Sequence, residues 1–192
     1  MVFPLRARRV DIYRMPPPVW PVAVCRQPCP HSFVETYALR QGGVCWQSKR
    51  GLVAVWTPAP PLLVLGMRGH SDTDFAQAIG DGYERVFGQP KPLHLFVDAE
   101  GLEGYASDIR TKVTKRLIAD KSRIAAFHVL CDSKLVAMGV SVIDLALGGI
   151  VVTHDRRQDF KSQLDACLYG CGAVGFSSDA LELPTRTTSP AR

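Results

Sequence analysis

The sequence has no run of apolar residues long enough to cross a membrane. A spanning helix needs about 18 such residues in succession, and the longest apolar stretches are broken by proline, glycine or charge. A secretory signal is also missing, because prolines at positions 16, 17, 18 and 21 interrupt the apolar stretch that follows the N-terminal arginines. We therefore expect a cytoplasmic protein without a transmembrane segment, in which the cysteines stay reduced.

Recognised catalytic motifs are missing too. The chain contains no Gly-x-Ser-x-Gly, no Gly-x4-Gly-Lys-Ser/Thr, no Gly-x-Gly-x-x-Gly after a strand and no His-Glu-x-x-His. The histidines are scattered singly. His154-Asp155 resembles the metal-binding doublet of some phosphohydrolases, but their other ligands are absent and a helix cap is the simpler explanation. The sequence thus predicts a protein that is not an enzyme and has no cofactor.

The net positive charge is small outside the N-terminal region. The formal net charge is +5, and residues 1–31 supply four of these charges through five arginines set against Asp11. The rest of the chain is therefore nearly neutral. Nucleic acid is not an expected partner, because counterion release needs several lysines or arginines acting together.

The six cysteines include two pairs with the same spacing, Cys25 with Cys29 and Cys167 with Cys171. Four thiolates could in principle bind one zinc ion. The spacing is not that of the two-residue zinc knuckle, however, and the first pair lies among prolines. Free cysteines are therefore the favoured interpretation, and no metal site is predicted.

Composition divides the chain into three parts. Residues 1–32, rich in proline and arginine, are predicted to form a disordered leader, with translation from Met15 as an alternative start. Residues 33–170 are predicted to form one α/β domain. Residues 171–192 are predicted to be a flexible tail, because their end is rich in serine, threonine and proline.

The domain is predicted to begin with a β-hairpin and to continue as alternating strands and helices. Apolar or alternating runs indicate strands at 33–40, 44–49, 52–57, 62–68, 93–97, 124–130 and 150–153. Helices are predicted to begin at Ser71, at Ser107, at Asp132 or Ser133, and at Asp155. This order indicates a mixed sheet with a parallel portion.

The predicted helix from Lys134 to Leu147 is apolar nearly all round, with only Lys134, Ser141 and Asp144 polar. Such a helix is either buried on more than one side or exposes an apolar face to a second subunit, a partner protein or an acyl chain. The residues predicted to form an apolar surface or a cavity are Leu135, Val136, Met138, Val140 and Val142.

Charged residues cluster after the predicted strand 93–97, at the end of a strand where open α/β sheets place their ligand sites. The acidic ones are Asp98, Glu100, Glu103 and Asp108. A solvated loop is the simpler reading, and an enzyme using the first three would lack a nucleophile or a base partner. A basic run follows, which is either a solvated face or a site for an acidic partner or lipid headgroup; it comprises Arg110, Lys112, Lys115, Arg116, Lys121 and Arg123.

The stretch from Leu62 to Leu168 resembles a STAS domain of the anti-sigma-factor-antagonist type, in particular an uncharacterised bacterial branch grouped with the CRAL-TRIO lipid-binding fold. The resemblance rests on residues 96–108, FVDAEGLEGYASD, and on SKLVAMG at 133–139 with LALGG at 145–149. It implies a STAS-like α/β fold.

In such antagonists, the serine that matches Ser107 is phosphorylated by a partner kinase, which switches binding to that kinase off. A phosphate there would meet backbone N–H groups at a helix N-terminus. The family's Asp-Ser-Ser/Thr-Gly is Ala106-Ser107-Asp108-Ile109 here, without the preceding acid or the following glycine. A simple N-cap is an equally good reading of Ser107.

The sequence therefore predicts a non-enzymatic STAS-like regulatory module that binds a protein partner, either a kinase or a regulator. The predicted partner or switch loop comprises Asp98, Glu100, Glu103, Tyr105, Ser107, Asp108 and Arg110. The alternative is a small apolar-ligand or lipid-binding protein of CRAL-TRIO type, with a cavity beside Met138 and Val142. A homodimer is a further alternative.

Overall fold

A computed structural model describes residues 35–73, 75–87, 92–173, 175–181 and 183. The predicted leader 1–32, with Met15, Cys25 and Cys29, lies outside the described residues. The strands and helices of the described part are β1 (Glu35–Ala38), β2 (Val44–Gln47), β3 (Gly51–Ala59), β4 (Leu62–Ser71), α1 (Phe75–Phe87), β5 (Leu93–Tyr105), α2 (Ser107–Ala119), β6 (Ile124–Leu130), α3 (Lys134–Leu147), β7 (Val151–His154) and α4 (Arg157–Gly170).

All of these strands belong to one sheet, whose order follows the chain from β1 to β7. The first four strands pair antiparallel, starting with the β1–β2 hairpin, and β4 to β7 pair parallel. The predicted mixed α/β fold with a leading hairpin is therefore confirmed.

The parallel half of the sheet determines where the helices lie. Each crossover between neighbouring parallel strands is expected to be right-handed, so α1, α2 and α3 fall on the same face as the sheet advances from β4 to β7. Their apolar side chains form one core cluster with the sheet. The second cluster lies on the opposite face, where α4 contributes Phe160, Leu164 and Leu168.

The core on the α4 face extends beyond residue 170, the predicted end of the domain. Leu181, in a 3-10 helical turn at Ser178–Leu181, is 2% exposed and belongs to the cluster formed with α4. The Ser178 hydroxyl donates to Asp165 at 2.9 Å, and Lys161 pairs with Asp179 at 2.7 Å. Residues after the predicted boundary therefore contribute to the packed domain.

Strand β5 is longer than the sequence indicates. It was expected to end at Val97, but its parallel pairing with β4 continues to the pair Ser71–Tyr105. Register shifts near Gly66 and Gly69 of β4 accommodate this continued pairing. Two predictions were consequently wrong: residues 98–105 are strand instead of loop, and Ser71 ends β4 instead of capping α1.

Candidate functional site

Three features of the described residues are candidates for function: an ion cluster on the α4 face, a cavity beneath α1 to α3, and the outer surface of α3. The ion cluster centres on Asp98, which is 1% exposed. Arg68 on β4 donates to both of its carboxylate oxygens, each at 2.9 Å. Arg157, at the start of α4, donates to Asp98 Oδ2 at 3.0 Å and also bonds Glu100.

The two arginines determine the protonation of this cluster. Burial raises the pKa of Asp98, but the hydrogen bonds and charges of Arg68 and Arg157 outweigh burial and hold the pKa below its ordinary 3.8. Burial lowers the pKa of Arg157, and its bonds to Glu100 and Asp98 more than offset this effect. A carboxylate held in this way is a weak proton acceptor, so the cluster suits a structural role that fastens α4 to the sheet.

The other residues of the predicted partner loop belong to two elements. Glu103 and Tyr105 lie on β5, and Ser107, Asp108 and Arg110 lie on α2. Glu103 and Arg110 are exposed, and Asp108 is half-buried at the first turn of α2. Tyr105 packs towards α3, where a methyl group added at Gly139 would overlap the Tyr105 hydroxyl. The seven predicted residues therefore do not form one surface, because Asp98 and Glu100 are bonded by Arg157 on the α4 face.

Ser107 is the first residue of α2 and is exposed. The N-cap position belongs to Ala106, whose side chain cannot cap the helix, and the Asp108 carboxylate accepts a hydrogen bond from the Ile109 N–H of the first turn at 3.0 Å. The N-cap reading of Ser107 was therefore wrong by one residue. Its hydroxyl lies at the positive end of the helix dipole, where an added phosphate would be stabilised.

A cavity of about 110 Å³ lies between the sheet and helices α1 to α3. Its walls are almost entirely apolar, and α3 contributes Val136, Gly139, Val140 and Ile143. The sequence predicted a cavity beside Met138 and Val142. That prediction was wrong about the side of the helix, because neither residue lines this cavity. Val136 and Val140, which belong to the predicted apolar surface or cavity, do line it.

One polar group in the cavity wall lacks a partner. Ser71 is 2% exposed and lines the cavity, and its hydroxyl makes no hydrogen bond to any described residue. A buried hydroxyl without a partner costs about 1–3 kcal/mol. Arg110, an exposed cation, also contributes to the cavity wall.

The outer surface of α3 exposes large apolar side chains. Leu135, Met138, Val142 and Leu145 are 56%, 69%, 57% and 84% exposed, and we call this set the α3 stripe. Val136 and Val140, by contrast, are buried against the sheet. Of the predicted apolar surface, three residues therefore face outward and two face inward.

Within the described residues, no helix has both the length and the apolar character needed to cross a membrane.

Sequence reasoning missed the partners of several of these groups. Arg68 and Arg157 lie 30 and 59 positions from Asp98, and no local pattern connects them. His154 was read with Asp155, but its Nε2 lies 3.0 Å from His128 Nδ1 on the neighbouring strand. In the parallel β6–β7 register His128 lies opposite Val152 and His154 lies opposite Leu130, so the two histidines are diagonal neighbours on one face of the sheet.

No protein-family model and no curated protein matches this chain. Three chains of solved structures match it. One is an uncharacterised protein of the DUF3478 family with a SpoIIAA-like fold, from Shewanella loihica PV-4. It is 11% identical, has a TM-score of 0.46, and aligns over 69% of this chain and 93% of its own. The fold in its description is of the STAS-like type that the sequence resembles.

Proposed function

We propose that this protein is a non-enzymatic binding module that docks a protein partner on the α3 stripe. The observation that carries this proposal is the solvent exposure of four large apolar side chains on one helix. Their spacing of three, four and three residues places them on one side of the helix. Exposed apolar side chains gathered in this way mark an interaction surface, whereas single ones are common on any protein.

The spacing and the neighbouring charges describe the partner. Apolar side chains at positions 135, 138, 142 and 145 follow the spacing of a coiled-coil seam, which is matched by a second helix with the same pattern. Helix α2 packs beside α3 and exposes Arg110, Lys112 and Lys115. We therefore expect the partner to present an amphipathic helix with acidic residues beside its apolar seam.

The proposal includes Ser107 as a regulatory site. Its exposure at the α2 N-terminus makes it accessible to a kinase, and a phosphate would place negative charge next to a surface that favours acidic partners. Phosphorylation is therefore expected to weaken partner binding. Incubation with ATP and lysate of the producing cell, followed by mass mapping, should locate a phosphate on Ser107; an unmodified Ser107 would contradict this part of the proposal.

Partner binding can be tested by changing one exposed residue on each face of the sheet. The full chain, Leu145→Lys and Tyr169→Lys are tagged and recovered from the producing cell. Tyr169 is the matched control, because it is 91% exposed on α4 at the opposite face. A stoichiometric partner should be retained by the full chain and by Tyr169→Lys, and reduced at least tenfold with Leu145→Lys. Equal retention by both variants would contradict the proposal.

The cavity supports a second function, the binding of a small apolar molecule. An engineered cavity of about 150 Å³ holds benzene, so this smaller space of about 110 Å³ suits a small apolar molecule and not a long acyl chain. Benzene is the probe, and it should change the chemical shifts of the residues that line the cavity. Absence of chemical-shift changes at the cavity with benzene would contradict this function.

A further inference from the structure

Histidine and cysteine side chains converge on the α4 face, near the end of that helix. His94 lies close to the start of β5. Cys167 lies in the last turn of α4, and Cys171 follows the helix as its C-cap residue. One ligand atom from each residue lies within 4.8 Å of the other two, and all three residues are partly buried.

The backbone explains why the two sulfurs are close. Residues four positions apart lie on the same side of a helix, and the Cys171 N–H donates to the Cys167 carbonyl at 2.9 Å, so the helical path continues through the pair. The sulfurs are 3.9 Å apart. A disulfide would need about 2.05 Å, so these are two separate thiols.

The separation of the sulfurs agrees with tetrahedral metal coordination. With zinc–sulfur bonds of about 2.3 Å, two thiolates on a tetrahedral ion lie about 3.8 Å apart. Thiolate and imidazole are also the donors that select zinc and related thiophilic ions over magnesium or calcium. The His94 nitrogen lies within 4.8 Å of both sulfurs, which places it beside the same ion.

We propose that His94, Cys167 and Cys171 bind a transition-metal ion of the zinc class, with the fourth coordination position open to solvent. The site is independent of the proposed docking function, because it lies on the face of the sheet opposite α3. It links the start of β5 to the end of α4. The ion would therefore fasten the end of α4 that is farther from the Asp98 ion cluster.

The experiment uses the reduced, metal-stripped full chain titrated with Co²⁺, whose tetrahedral thiolate complexes have characteristic charge-transfer and visible bands. We expect one equivalent to produce both sets of bands, and Zn²⁺ to remove them by displacement. Cys167→Ser or Cys171→Ser should abolish the charge-transfer intensity of the site, and His94→Gln should weaken Co²⁺ binding at least tenfold. Circular dichroism establishes that each variant is folded.

Two controls separate this site from the other cysteines. Cys131→Ser removes another partly buried thiol, and a Cys25→Ser/Cys29→Ser double variant removes the pair with the same sequence spacing. Both should keep the cobalt bands. The proposal is overturned if the wild-type chain shows no bands, if the bands survive Cys167→Ser, or if the double variant loses them.

Discussion

At the scale of single residues, Asp98 is the most deeply buried carboxylate of the part of the chain that the structure describes. It is buried between two arginines that are only 25% and 34% exposed. Removing one member of such a group leaves the others without compensation and costs about 3–5 kcal/mol. We expect Asp98→Asn to lower the free energy of unfolding by about 3 kcal/mol. This value is the lower end of that range, because both arginine side chains are partly exposed to solvent. Urea denaturation at neutral pH measures it.

The control for that variant is Asp155→Asn, which changes an exposed carboxylate. It should alter the unfolding free energy by less than about 0.5 kcal/mol. Equal effects of the two changes would show that the Asp98 cluster does not stabilise the fold.

The lowered pKa of Asp98 also predicts how stability depends on pH. Because the folded pKa lies below the ordinary 3.8, the unfolded chain binds the proton more readily. The contribution is complete above the unfolded value and is lost as the pH falls through the folded pKa. The wild-type chain should therefore lose more stability than Asp98→Asn between neutral and acid pH in urea titrations. If the wild-type chain and Asp98→Asn lost the same stability over this pH range, the lowered pKa of Asp98 would be contradicted.

Ser71 leads to the opposite expectation, a substitution that stabilises. Its buried hydroxyl has no partner among the described residues, so Ser71→Ala removes a desolvated polar group without breaking a hydrogen bond. We expect the free energy of unfolding to rise by about 1 kcal/mol in the ligand-free protein. A decrease in the urea midpoint would indicate that the hydroxyl is satisfied in solution.

The sequence identifies individual residues of the candidate site better than it identifies their partners. Asp98 and Ser107 could be singled out because Asp98 follows a strand-like run and Ser107 begins a predicted helix. Arg68 and Arg157 could not, because their contacts depend on the pairing of β4 with β5 and on the placement of α4. The cavity side of α3 was also undetermined, since both sides of that helix are apolar.

At the scale of elements, α3 offers a matched pair of leucines. Leu145 is 84% exposed and Leu147, two residues later, is fully buried. Leu147→Ala should lower the free energy of unfolding by about 2–5 kcal/mol, because it leaves a cavity in the core. Leu145→Ala should change it by less than about 0.5 kcal/mol. Similar losses, measured by urea denaturation, would mean that the α3 stripe is covered within the chain.

Most element positions followed from periodicity, and the exceptions have a physical cause. The helix predicted from Lys134 to Leu147 has those bounds in the structure, and Gly148 after it adopts the left-handed conformation that ends helices. The extension of β5 was missed because residues 98–105 mix acids and glycines, which are poor strand formers. Pairing with β4 overrides that local preference.

At the scale of the whole molecule, the ordered core extends past the boundary that composition suggested. Truncation after residue 176 would remove Leu181 and the Ser178 contact with Asp165. We expect it to lower the free energy of unfolding by about 2 kcal/mol, the value of one buried leucine. Truncation after residue 183 keeps these groups and should leave the urea midpoint unchanged. Equal midpoints for both truncations would contradict the contribution of Leu181.

The fold class was predictable because the alternation of strands and helices admits few topologies once crossovers are right-handed. The proposed docking surface was less predictable, because it depends on which apolar side chains remain exposed after packing. Composition assigns Leu145 and Leu147 the same role, and only the rotation of α3 against the sheet distinguishes them.

The central claim is that the α3 stripe docks another protein, and site-specific photo-crosslinking tests it most directly. A photoreactive residue at Met138 is compared, in the producing cell, with one at Ser162, an exposed position on α4. We predict one adduct with a different protein at position 138, mapping to an amphipathic helix with acidic residues, and none at 162. No adduct at 138, or an adduct only with a second copy of this chain, would contradict the claim.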